Sequence, residues 1–188
     1  MLAGLYYRFF QFCRALTAPV KWRKLNPVYL DPYLSQAEKE LFLSLDPITG
    51  CHSLRVAATI IKNYNRLPAE IDPVFAVKCA LLHDIGKLAS RPGIFLRVTA
   101  VLWRKLCRLF SRPVEKAPSF LGPKNQKKLR AYYRHAALGA SLLAAKGGDP
   151  VLIWVVANHH TQLPPPPPTG AERAEALLRL LQEADRKN

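Results

Sequence analysis

Apolar positions along this chain recur at helical spacing, and Ser, Asp, Pro and Gly punctuate the runs. In residues 1–20, Leu2, Leu5, Tyr6, Phe9, Phe10, Cys13 and Leu16 share a stripe interrupted by Arg8, Gln11 and Arg14, which predicts an amphipathic helix. A basic, proline-broken connector covers 21–31. Ser35-x-x-Glu38 has the form of a capping box and opens a helix over 36–45. Asp46-Pro47 turns the chain, and Gly50 precedes a helix with His52 in its first turn, where His52, Arg55, Val56, Thr59 and Ile60 fall on one stripe. Leu67-Pro68 ends that helix. Asp72 as N-cap and Pro73 at the first helical position start the next, which Val74, Val77, Lys78, Leu81 and Leu82 carry to His83-Asp84. Gly86 then lets the chain leave the helix close to whatever that pair binds.

Residues 94–110 form another amphipathic pattern, with Arg97, Arg104, Lys105 and Arg108 set against Phe95, Val98, Val101, Leu102, Leu106 and Leu109. Residues 111–128 are rich in proline and lysine and read as a mobile insert. With the preceding helix they make a lid, a basic surface for an anionic partner, or a plain solvated segment. Residues 127–146 read as one long helix with His135 on its apolar face, ended by Gly147-Gly148. Asp149-Pro150 caps a helix over 151–160, whose apolar body places His159-His160 at the end of a buried element. Five prolines, 164–168, make a semi-rigid linker. Thr169-x-x-Glu172 is a second capping box, opening the last helix with Asp185 near its end. There is no strand pattern, no internal repeat, no GxGxxG and no P-loop. The expected fold is all-α, about seven or eight helices round a central bundle. Residues 1–34 supply the amphipathic helix and linker, 35–188 the main domain, and about 94–128 a basic insert.

Composition narrows the function classes. A chain of 188 residues with 49% hydrophobic and 22% charged residues fits one globular domain and excludes a disordered chain. No apolar run reaches the roughly 18 uncharged residues of a spanning helix, and the arginines within 1–20 argue against a signal peptide. Cys13, Cys51, Cys79 and Cys107 are widely spaced without a CxxC, as reduced thiols of a cytoplasmic protein would be. The net charge of +15 favours anionic partners: a phosphorylated small molecule, nucleic acid or an acidic membrane face. No nucleic-acid motif accompanies it. The 1–20 helix either packs outside the core or serves as a peripheral membrane anchor.

The chemistry concentrates in Ala80-Leu81-Leu82-His83-Asp84-Ile85-Gly86-Lys87, where an apolar run delivers a histidine and an aspartate side by side. Burying such a pair is costly unless something compensates both groups, and a metal ion is the common solution. The other histidines, His52, His135, His159 and His160, flank it on separate helices, and Asp185 closes the series in the order H…HD…H…HH…D. Mixed imidazole and carboxylate donors on facing helices suit divalent transition metals.

That order resembles the HD superfamily of metal-dependent phosphohydrolases. The resemblance rests on Cys51-His52-Ser53-Leu54-Arg55, Leu82-His83-Asp84-Ile85-Gly86-Lys87, Arg134-His135-Ala136-Ala137-Leu138-Gly139, Asn158-His159-His160-Thr161 and Glu183-Ala184-Asp185-Arg186. It runs from about residue 35 to 185 and is nearest to small stand-alone HD proteins. It implies one metal held by His52, His83, Asp84 and Asp185, and a second held by His135 with His159, His160 or both, Asp84 bridging. The implied ions are two, iron or manganese, with magnesium or nickel as alternatives. The implied reaction is attack of a metal-bound hydroxide on the phosphorus of a nucleotide or related ester or anhydride, with His83, Asp84 and Lys87 catalytic and Lys87 at the substrate phosphate; Arg55, on the stripe of His52, is expected to contact that phosphate as well. The layout is similar to HD enzymes that split diadenosine tetraphosphate. The Gly-Tyr-Pro signature of the cyclic-dinucleotide branch is missing after the double histidine, where Gln162-Leu163 and prolines stand. Two other readings use the same residues: a regulatory or membrane-associated module that retains a metal without turnover, and a di-iron oxygenase of the HD type.

Overall fold

The computed structural model describes residues 14, 16–63, 69, 71–114, 116–168 and 172–188. The break expected at Leu67-Pro68, the capping box at Thr169 and most of the helix expected over 1–20 lie outside them. Among the described residues the α-helices are α1 (Gln36–Leu43), α2 (Pro47–Lys62), α3 (Pro73–Leu82), α4 (Ile94–Leu109), α5 (Pro123–Tyr133), α6 (His135–Ala144), α7 (Pro150–Asn158) and α8 (Glu172–Arg186). Residues 16–23 are helical as well, Pro27–Leu30 and Ile85–Ala89 are 3-10 turns, and no strand occurs among the described residues. The all-α expectation holds.

Three of these helices start at an Asp-Pro pair. Asp46 accepts from the Ile48 and Thr49 amides, Asp72 from Val74, and Asp149 from Val151 and Leu152, while each proline occupies the first turn, where no amide donor is missed. The Ser35–Glu38 capping box of α1 forms in both directions. Helices α3 and α7 are apolar nearly all round and run through the interior. Val56, Ile60, Leu81, Leu82, Val155 and Leu181 join α2, α3, α7 and α8 in one core. The described cysteines, Cys51, Cys79 and Cys107, are buried free thiols.

Three sequence expectations are corrected. Helix α2 begins at Pro47, a turn earlier than expected, and Gly50 lies inside it rather than before it. A Cβ on Gly50 would stand 2.1 Å from the Trp22 ring, so the glycine seats the helical run 16–23 on α2. Ala18 is buried in that contact and its carbonyl lies 3.6 Å from Cys51 Sγ. This described part of the N-terminal helix therefore packs on the core. Gly86 lies past the end of α3 and opens the way to α6: a Cβ there would fall 1.8 Å from the His135 carbonyl oxygen and 2.5 Å from the Gly139 amide nitrogen. Secondly, the long helix expected over 127–146 is two helices, parted at Arg134 with φ −96° and ψ 11°. Finally, the insert is packed. Helix α5 lies against α4, with Leu129, Ala100 and Cys107 buried between them and Tyr133 Oη donating to the Ala100 carbonyl at 2.6 Å. Arg97 of α4 reaches back to Asp46 at 2.9 and 3.0 Å and to Thr49 Oγ1 at 2.7 Å, bracing the start of α2.

Helix α4 spans the expected residues but turns its apolar row outward, with Phe95, Leu102 and Leu109 exposed.

The close approach at Gly86 makes a test of the fold. Gly86→Ala is expected to lower stability by about 1–3 kcal/mol, the usual penalty for an extra carbon in a filled space. Because the struck atom belongs to His135, metal content should fall with it. Urea unfolding and elemental analysis read the two, and a wild-type midpoint would contradict the packing described.

Candidate metal centre

Three histidines stand just past the carbonyl ends of three helices. His83 follows α3, His135 follows α5 across the Arg134 break, and His159 follows α7. The last carbonyls of a helix have no partner within it. Each of these rings uses one of them: Nδ1 of His83 meets the Ala80 carbonyl at 2.8 Å, that of His135 the Tyr132 carbonyl at 2.7 Å, and that of His159 the Val156 carbonyl at 2.7 Å. A carbonyl only accepts, so Nδ1 carries the proton in each ring. Burial disfavours the imidazolium and pulls His83 below, and His159 well below, the usual histidine range. Each ring thus turns its Nε2 inward, and in His83 and His159 burial favours leaving that nitrogen bare.

Those nitrogens converge. His135 Nε2 lies 3.3 Å from His159 Nε2 and 3.2 Å from His160 Nε2. His160 exposes its outer edge while its Nε2 reaches into the group, and desolvation there, followed by its neighbour His135, lowers its pKa to about 4. Across the site, His52 Nε2 meets Asp185 Oδ1 at 2.8 Å beside His83. The ligand atoms of His135, His159 and His160 all lie within 4.8 Å of one another, and so do those of His52, His83 and Asp185. Burial pushes the Asp185 carboxyl up, but the His52 hydrogen bond leads the contacts that together hold it below its ordinary range.

Asp84 stands between the two groups, buried, with one oxygen toward each. Oδ2 lies 3.5 Å from His83 Nε2 and 3.9 Å from His52 Nε2, while Oδ1 lies 3.1 Å from His135 Nε2 and 3.8 Å from His159 Nε2. Lys87 Nζ donates to Oδ2 from one turn on. Burial pushes the Asp84 carboxyl up, but the Lys87 ammonium leads the charges that hold it well below the usual carboxylate range. Burial likewise pushes Lys87 down, and Asp84 outweighs it, so the amine is held above its ordinary value. Oδ1 is buried without a hydrogen-bond donor. Its nearest neighbour is His135 Nε2, at 3.1 Å.

An acceptor-rich centre of this kind fits a cation. Converging lone pairs and a buried carboxylate repel one another in a purely protein interior, whereas divalent metals take such mixed nitrogen and oxygen sets. The negative poles of α3, α5 and α7 point at the same place and favour positive charge there.

His52, His83, Asp84, Lys87, His135, His159, His160 and Asp185 each approach another member of the cluster. Arg55 lies one turn after His52, half-buried, with its carbonyl accepting from Thr59 Oγ1 at 3.0 Å. The sequence reading missed Tyr132. Its carbonyl fixes the His135 ring, and its own ring centre lies 5.7 Å from Lys87 Nζ. The three-residue step from Ala80 to His83, Tyr132 to His135 and Val156 to His159 was the available signal, since it matches the reach of a ring to a last-turn carbonyl.

A family model, HD domain, matches residues 49–187. No curated protein and no solved structure matches the chain. The match runs past both ends of the constellation, from before His52 to beyond Asp185, and the chain belongs to the HD domain family, whose members are generally metal-dependent phosphohydrolases.

Proposed function

We propose that this protein is a metal-dependent phosphohydrolase that cleaves a nucleotide or a related phosphate ester or anhydride. The observation that carries the reading is Asp84, a buried carboxylate presenting Oδ2 to His52 and His83 and Oδ1 to His135 and His159. On this reading His52, His83, Asp84 and Asp185 hold one ion, and His135, His159, His160 and Asp84 hold another. The donors are imidazole and carboxylate without thiolate, which suits iron or manganese better than a closed structural zinc site. Divalent ions held there supply Lewis-acid charge to phosphoryl oxygens and acidify a water as nucleophile.

The chain's own residues do the remaining work. Backbone carbonyls keep the rings of His83, His135 and His159 in the tautomer that leaves Nε2 available. Asp84 bridges the two halves. Lys87, kept charged by Asp84, supplies an ammonium at the edge of the centre for a phosphoryl oxygen. Arg55 is the second cation assigned to the substrate phosphate, on the turn after His52. The side chains of His52 and Asp185 retain 21% and 23% exposure and His160 is exposed, so solvent and substrate enter on that side. Tyr132, beside Lys87, forms a wall there.

Purified protein should contain transition metal and release phosphate from a nucleotide within a screen of mono-, di- and dinucleotides. Release that persists without oxygen distinguishes hydrolysis from oxygenase chemistry. Metal-loaded protein with no turnover on any phosphate ester would sink the proposal. Asp84→Ala is expected to abolish metal-dependent release, because it removes a donor from both ions; unchanged turnover in metal-replete assay contradicts the bridging role. His135→Ala should empty the second position first, seen by elemental analysis as a fall in stoichiometry with part of the metal retained. Lys87→Ala should cost on the order of 10²-fold in kcat/KM with metal content intact. Loss of metal instead would make Lys87 a support for Asp84 rather than a substrate contact.

A further inference from the structure

The positive charge of this chain is not spread over the bundle. Residues 85–148 carry 14 of the 28 lysines and arginines and, in Glu115, one of the 13 acidic residues, so +13 of the net +15 falls in that stretch. The same stretch holds seven of the fourteen large apolar side chains that the fold leaves exposed among the described residues. On α4, Phe95, Val98, Leu102, Leu106 and Leu109 form a row at helical spacing and are 45–87% exposed. Ala100 and Cys107, on the opposite side of the helix, are buried. Lys105 and Arg108 are exposed beside the row, and Phe110 and Phe120 are exposed past its end. An ordinary surface helix turns such a row toward the core; this one turns it away.

We propose that the outer face of α4 is a docking surface for an anionic lipid leaflet. A helix lying in the membrane plane buries an apolar row at the headgroup boundary and sets its lysines and arginines against lipid phosphates, and α4 has both parts. Charge decides against the rival occupants. A second copy would set the exposed Lys105 and Arg108 of one α4 beside those of another, and α4 carries no acidic side chain, so like-charge repulsion opposes that pairing. The chain's own apolar residues 1–13 contain no acidic side chain to neutralise the rim. A nucleic acid backbone would answer the charge and leave the row in water. The surface belongs to α4, and docking needs neither metal nor turnover, so it stands apart from the proposed hydrolysis.

Co-sedimentation of the full chain with phosphatidylcholine vesicles, with and without phosphatidylserine, tests this. Binding should require phosphatidylserine and weaken with salt. Leu102→Glu and Lys105→Glu should each lower the partition coefficient, the first by about tenfold or more, with circular dichroism and metal content unchanged. Should Leu102→Glu fail to fold, Phe95→Ser takes its place, at the most exposed position of the row. No binding to phosphatidylserine vesicles overturns the proposal, and so does binding that is equal in wild type and both variants, which would put the contact elsewhere on the chain. A concentration-dependent dimer in analytical ultracentrifugation, abolished by Leu102→Glu, would overturn it in favour of a second copy.

Discussion

Keeping the Asp84 carboxylate out of water is the constraint on which the centre of this molecule depends. An uncompensated ion of that kind costs several kcal/mol, a large part of the roughly 5–15 kcal/mol that holds a domain together. Lys87 answers one oxygen and leaves the other without a donor. Around it stand imidazoles whose Nδ1 protons are committed to backbone carbonyls, each with its Nε2 turned inward. As a protein core the arrangement is unfavourable; as a shell for cations it is favourable. That contrast separates the cluster from a chance gathering of buried histidines.

The surrounding fold serves this arrangement at short range. Asp-Pro starts fix where α2, α3 and α7 begin, and the apolar bodies of α3 and α7 carry their terminal histidines inward. The bare backbone of Gly86 against His135 and Gly139 brings the two halves of the centre within reach of one carboxylate. Arg97, from the insert, braces the cap of the helix bearing His52. The parts of the insert nearest the centre are thereby tied to it mechanically.

What the sequence made legible was local or ordered along the chain. The capping box at Ser35 and the caps at Asp72 and Asp149 depend on neighbours within a turn, and they appear in the structure where the pattern put them. The order of histidines and aspartates also sufficed to indicate which side chains would meet. The break at Arg134 was hidden because the segment is helix-compatible throughout; His135 stands beyond a helix end, where a free carbonyl can anchor it, and that is a tertiary matter. The partner of Gly86 was hidden for the same reason, since its close neighbour is 49 residues away in His135. Amphipathicity in α4 revealed two faces but not which one looks inward, because Ala100 and Cys107 are too small to stand out beside Phe95 and Leu102.

Anchoring three imidazoles to helix-terminal carbonyls has a further consequence. Rings held that way have little rotamer freedom left, so the gaps between their nitrogens are inherited from how α3, α5 and α7 sit against one another. Ion size preference then becomes a property of core volume. Val156 and Ile85, whose side chains would lie 3.2 Å from a Cβ placed on Gly139, belong to the calibration of the pocket although neither offers a ligand atom. Trimming a methyl group there would respace the donors while leaving every one of them in the sequence.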